Sequence, residues 1–156
     1  MLSIIPIIGI TGGIGSGKSF VAKLFASFDC VVANADDNAK TILNKPETQA
    51  VLSEWWGSEV ISEDGQTNRS LIASIVFSDE EARKKLESLI HPVVRQMQNE
   101  QFAQAPQSTK ALIIDAPLLL ETDLHTLCSV VVFVQASDEI RLRRVKETRG
   151  WDENEL

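Results

Sequence analysis

Cysteine is scarce. Cys30 and Cys128 stand far apart with no metal-ligand spacing, which argues against a disulfide scaffold or a cysteine-based metal site and favours two reduced, partly buried thiols. No excess of positive charge is present: 22 acidic residues face 15 basic ones, for a net charge of −7. A general nucleic-acid binder would carry a basic footprint instead. No apolar run is long enough to cross a membrane. The opening MLSIIPIIGI lacks a basic leading segment and a small-residue cleavage site, so it does not read as a signal peptide. Low-complexity tracts and internal repeats are also missing. The expectation is a soluble cytoplasmic protein, monomeric or weakly self-associating, with no nucleic acid and no membrane as partner.

What is there suits one globular domain. The 156 residues are 44% hydrophobic, enough to fill a core. Ile4 to Ile10 is a short β-branched run that reads as a buried strand, with Pro6 confined to its first residues because proline cannot donate to a ladder. Cys30 to Ala33, Ala111 to Asp115 and Ser129 to Val134 read as further strands. Helical spacing of Val21, Leu24, Phe25 and Phe28 predicts a helix from Lys18. Helices are also expected over Asp37–Leu43, Glu47–Trp56 and Arg69–Phe77, with a turn at Asp64-Gly65. The pattern of Asp79–Ala103 is helical, and Pro92 should kink or break it after His91. Ser137 is placed to cap a last helix through Arg149.

Strands alternating with helices predict an α/β fold, a parallel sheet flanked by helices. Residues 1–34 and 108–137 would form the sheet core. The helical stretch 35–107 is too large for a simple crossover and reads as an inserted subdomain at the sheet's carboxyl edge. Residues 138–156 would begin a lid.

The segment GITGGIGSGKSF, residues 9–20, holds five glycines directly after the first strand. Gly12, Gly13, Ile14, Gly15, Ser16, Gly17, Lys18 and Ser19 fit G-x-x-x-x-G-K-[ST] between a strand and a helix, the context in which that motif is a phosphate loop. Glycines let the backbone curl with its N–H groups inward, and the helix start adds positive potential. Lys18 is expected to reach the β and γ phosphates of ATP, and the Ser19 hydroxyl to ligate Mg²⁺. Phe20 replaces a second hydroxyl found in many such loops.

Phosphoryl transfer also needs charge neutralisation and a base for the attacking hydroxyl. Asp36 follows the second strand and is either a helix cap or that base. Asp115 ends the strand ALIID and is either a turn residue or a metal-binding acid, with strand ends of open parallel sheets favouring the latter. His91 is either a packed helix residue or part of a site. Trp55-Trp56 reads as core rather than pocket wall. Arg141, Arg143, Arg144, Lys146 and Arg149 form either a solvated face or a source of lid arginines; Arg144 is the candidate to neutralise the transferring phosphoryl group.

Together these segments resemble the dephospho-CoA kinase family. GITGGIGSGKS (9–19) resembles its phosphate loop, NADDNAK (34–40) its Asp-Ala-Asp-x-x-Ala segment, LIHPVV (89–94) its Ile-His-Pro-x-Val segment, and DAPLLLE (115–121) its Asp-x-Pro-Leu-Leu-x-Glu segment. The resemblance implies ATP-dependent phosphorylation of the ribose 3′-hydroxyl of dephospho-CoA. It implies Asp36 as the base, and Asp36, His91, Pro92, Pro117, Leu118, Leu119 and Glu121 as acceptor-binding positions. Asn34 departs from the family's first aspartate. The resemblance further implies that relatives run on past WDENEL, leaving the lid partial and a sheet edge open here. Another P-loop kinase for a nucleotide or small metabolite, or a nucleotide-binding remnant without catalysis, are the alternatives.

Overall fold

The computed structural model describes residues 5–150, without the side chain of Arg149. The expected strand start at Ile4 and the lid residues 151–156 lie outside the described residues. The chain divides into two compact units. One takes the described residues up to Asn34 and from Gln101 onward; the other is Ala35–Glu100.

The first unit is built on β1 (Ile7–Thr11), β2 (Val31–Asn34), β3 (Leu112–Asp115) and β4 (Val130–Phe133), all parallel in the order β2-β3-β1-β4. The strand count and alternation expected from the sequence are present. Pro6 falls just ahead of β1 rather than inside it, and its carbonyl accepts from the Leu112 amide at 2.9 Å. It thus contributes an acceptor where it has no donor to give. Ile10, Ile113 and Ile114 are fully buried. Each such side chain contributes about 2 kcal/mol of hydrophobic stabilisation. Among the described residues β4 pairs with β1 alone, and its Val130 and Phe133 are exposed.

Helix α1 (Lys18–Ser27) starts after Gly17, which holds the N-cap in the left-handed region (φ 97). Its buried face differs from the expected one. Val21, Ala22 and Phe25 pack on Ile8, Ile10, Ala111 and Ile113, whereas Leu24 and Phe28 are exposed. The loop fixes where the helix begins and therefore which stripe meets the sheet. The last helix of this unit, α6 (Asp138–Arg149), begins at the Ser137 cap, whose hydroxyl accepts from the Ile140 amide at 3.4 Å.

The second unit is helical: α2 (Ala35–Leu43), α3 (Pro46–Trp56), α4 (Arg69–Ser78) and α5 (Glu80–Ala103), which ends three residues past the unit's boundary. Leu52, Val60 and Ile72 form its core, with Trp55 and Trp56 packed against them, the core role read for that pair. The expected turn forms at Asp64-Gly65, where Gly65 N–H donates to Ser62 at 2.9 Å. Pro92 does not end the long helix, which continues from Glu80 to Ala103. Proline forfeits one backbone bond. Buried residues on both sides of it, Ile90 and Gln98, keep the two halves in register.

Candidate active site

Parallel pairing brings the carboxyl ends of three strands level: Asp115 of β3 lies opposite Ile10 of β1 and Asn34 of β2. The phosphate loop leaves the same end of β1, immediately after Thr11. This is the edge at which open parallel sheets bind ligands. Thr11 secures the neighbouring segment, its hydroxyl donating to the Pro117 carbonyl at 3.2 Å.

Asp115 is the buried centre of this edge. One carboxylate oxygen accepts from the Lys18 ammonium. The other accepts from the Asn34 side-chain amide at 2.7 Å. The Asp115 side chain is 0% exposed and that of Lys18 is 14% exposed, so the charge is shielded from water and depends on these two donors. No local sequence signal pairs either donor with it. Asn34 stood out only as a departure from a family pattern, yet strand register alone sets it beside Asp115.

The loop is curled tightly. A side chain at Gly12 would place its Cβ 2.5 Å from the Val134 carbonyl oxygen, so only glycine fits. Gly15 adopts φ 75, and a Cβ there would meet the Arg141 backbone oxygen at 2.8 Å. Ser16 is buried and its hydroxyl has no hydrogen-bond partner among the described residues. A buried, orphaned donor in a glycine loop is suited to a phosphate oxygen, which would satisfy it. Ser19 is exposed at the start of α1. Its hydroxyl and the Asp115 carboxylate are hard oxygen donors of the kind that Mg²⁺ takes together with nucleotide phosphates. No cluster of three or more His, Cys, Asp or Glu among the described residues is arranged to hold a metal unaided.

Arg144 takes an unexpected place. Rather than projecting as a lid residue, it donates through Nη1 to the carbonyls of Gly15 (3.1 Å) and Ser16 (3.0 Å). Arg141, absent from the expected site, donates through Nε to the Ile14 carbonyl at 2.8 Å. No local sequence signal marks contacts spanning so much of the chain.

The remaining positions divide between the two units. Pro117, Leu118 and Glu121 are exposed beyond β3, whereas Leu119 is fully buried. A Cβ on Gly9 would lie 2.5 Å from Leu119, so this side chain fills the space a glycine leaves. In the second unit Asp36 sits in the first turn of α2, exposed. The helix already begins at Ala35, so Asp36 is not its cap. His91 and Pro92 are exposed on α5. Cys128 is no candidate nucleophile, since burial pushes its thiol up from the ordinary range and disfavours the thiolate.

The dephospho-CoA kinase family model matches residues 6–156. A dephospho-CoA kinase of Syntrophotalea carbinolica is 38% identical over 149 residues, spanning 94% of this chain and 71% of the relative. One from Geobacillus kaustophilus is 38% identical over 152 residues, spanning 95% and 75%. Among solved structures, that of TT1252 from Thermus thermophilus superposes with a TM-score of 0.84 at 33% identity, covering 97% of this chain and 76% of that one. The dephospho-CoA kinase from Campylobacter jejuni superposes with a TM-score of 0.63 at 25% identity, covering 96% and 75%.

Proposed function

Because the chain belongs to the dephospho-CoA kinase family, we propose that it transfers the terminal phosphoryl group of ATP to the ribose 3′-hydroxyl of dephospho-CoA. The observation that carries this reading is the family match across 6–156, which takes in the phosphate loop and all three of the more distinctive segments. The loop alone would serve any P-loop kinase.

In the reaction the 3′-oxygen attacks the γ phosphorus as the bond to the bridging β,γ-oxygen breaks, and ADP departs. Asp36, on the exposed first turn of α2, receives the hydroxyl proton. Lys18 exchanges its partner, from the Asp115 carboxylate to the β and γ phosphate oxygens. The amides of the loop and the Ser16 hydroxyl hold the phosphates in place. Ser19 and Asp115 would hold Mg²⁺ together with the nucleotide, and the ion would supply charge neutralisation. His91, Pro92, Pro117, Leu118 and Glu121 are assigned to the acceptor. Leu119 supports that segment from the core. A cytoplasmic setting belongs to the same proposal.

An acceptor panel tests the reading. Phosphorylation of dephospho-CoA, with none of AMP, nucleosides or shikimate, is expected. Equal turnover of a nucleotide or shikimate contradicts the assignment and favours a different P-loop kinase. ATP binding without transfer to any acceptor favours a nucleotide-binding remnant.

A further inference from the structure

Resting on the kinase reading and deepening it, we propose that Arg141 and Arg144 are positioning residues that brace the phosphate loop from behind. Three successive loop carbonyls, those of Ile14, Gly15 and Ser16, are taken by these two side chains of α6 at 2.8 to 3.1 Å. All described peptide bonds are trans. In a planar trans peptide the N–H points opposite to the C=O of the same unit. Pinning the Ile14 and Ser16 carbonyls toward α6 therefore aims the Gly15 and Gly17 amides away from it, toward the hollow of the loop. The intervening Ser16 amide is engaged differently, donating to the Gly13 carbonyl at 3.1 Å.

Other features of α6 agree. Val145, on the same helix, is 2% exposed and anchors it. Arg141 is held at both ends of its fork: Nε on the loop, Nη1 on Asp138 at 3.1 Å. The Arg141 backbone approaches so closely that a Cβ at Gly15 would clash with it. The two hydrogens of a single Arg144 Nη1 serve both carbonyls. The arginines thus act through the loop, and phosphate affinity depends on the placement of α6.

A brace and a group touching the transferred phosphoryl make different predictions. Arg144→Met should weaken ADP and inorganic pyrophosphate roughly tenfold, the value of one charge-assisted hydrogen bond. ATP should weaken equally, seen in KM, with kcat changed by less than about threefold. Arg141→Met should do the same, and Arg144→Lys should recover part of the loss. Amide exchange at Gly15 and Gly17 should quicken in Arg144→Met while the amides of β1 and β3 stay as in the parent chain. Unchanged ADP affinity and loop exchange in both arginine variants would overturn the brace. So would an Arg144→Met chain that binds ADP normally but loses kcat by a hundredfold, which would put Arg144 on the γ phosphate. If Arg144→Met does not fold, Arg141→Met and Arg144→Lys carry the same measurements. A parent chain that binds neither ADP nor pyrophosphate overturns the kinase reading as well as the brace.

Discussion

The Lys18 ammonium is bound to the Asp115 carboxylate, a side chain fully withdrawn from water. Removing the lysine leaves a buried charge with its main partner gone, a loss of about 3 kcal/mol for such pairs. Lys18→Met is therefore expected to lower stability in urea unfolding and to abolish phosphoryl transfer. Adding Asp115→Asn should restore part of the stability without restoring transfer. A double variant no more stable than Lys18→Met would show that the pair is not coupled.

Asn34 donates to the second oxygen of the same carboxylate at 2.7 Å. Asn34→Leu keeps the approximate volume and removes that donor. A hydrogen bond to a buried charge is worth about 1.5 to 3 kcal/mol, and a loss of that size in urea unfolding is the expected outcome. A change under about 0.5 kcal/mol would mean that Asp115 does not need it.

Asp36→Asn should reduce the transfer rate by roughly 10²- to 10⁴-fold, the usual contribution of a general base. ATP affinity should barely move, because the phosphate loop is intact. Single-turnover kinetics separate the two. A rate within about threefold of the parent chain, under 1 kcal/mol in barrier, would remove Asp36 from the proton path.

Gly15→Ala combines a left-handed backbone angle with a Cβ aimed at the Arg141 main chain. The conformation alone costs about 1 to 2 kcal/mol. Calorimetry should show the loss of stability, and titration should show weaker ADP binding because the braced loop must shift. Parent-like values for both would mean that the loop tolerates a side chain there.

What the sequence disclosed was local. The phosphate loop is a contiguous pattern, and β-branched runs separated by helical spacing are enough to indicate a parallel sheet. Asp115 was placed as a strand end on the same logic. Other features depend on distant parts of the chain. Which face of α1 is buried depends on where the loop releases it, so Leu24 and Phe28 stand exposed against their periodicity. Pro92 lies inside a continuous helix because packing on both sides outweighs one lost bond. Arg141 and Arg144 fell in a cluster open to two readings, a solvated face or a source of lid arginines, and nothing nearby in sequence indicates that a loop at the other end of the chain accepts their hydrogen bonds. Leu119 sat in an acceptor motif and proved to be core, since a glycine on β1 makes room for it.

This chain is expected to pass a phosphoryl group from ATP to dephospho-CoA. Coupled measurement of ADP release, run with and without dephospho-CoA, tests it most directly when the product is also checked for a 3′-phosphate. Release that depends on dephospho-CoA and matches CoA formed mole for mole is expected. Release at the same rate without the acceptor, or no release with it, would rule out transfer to dephospho-CoA.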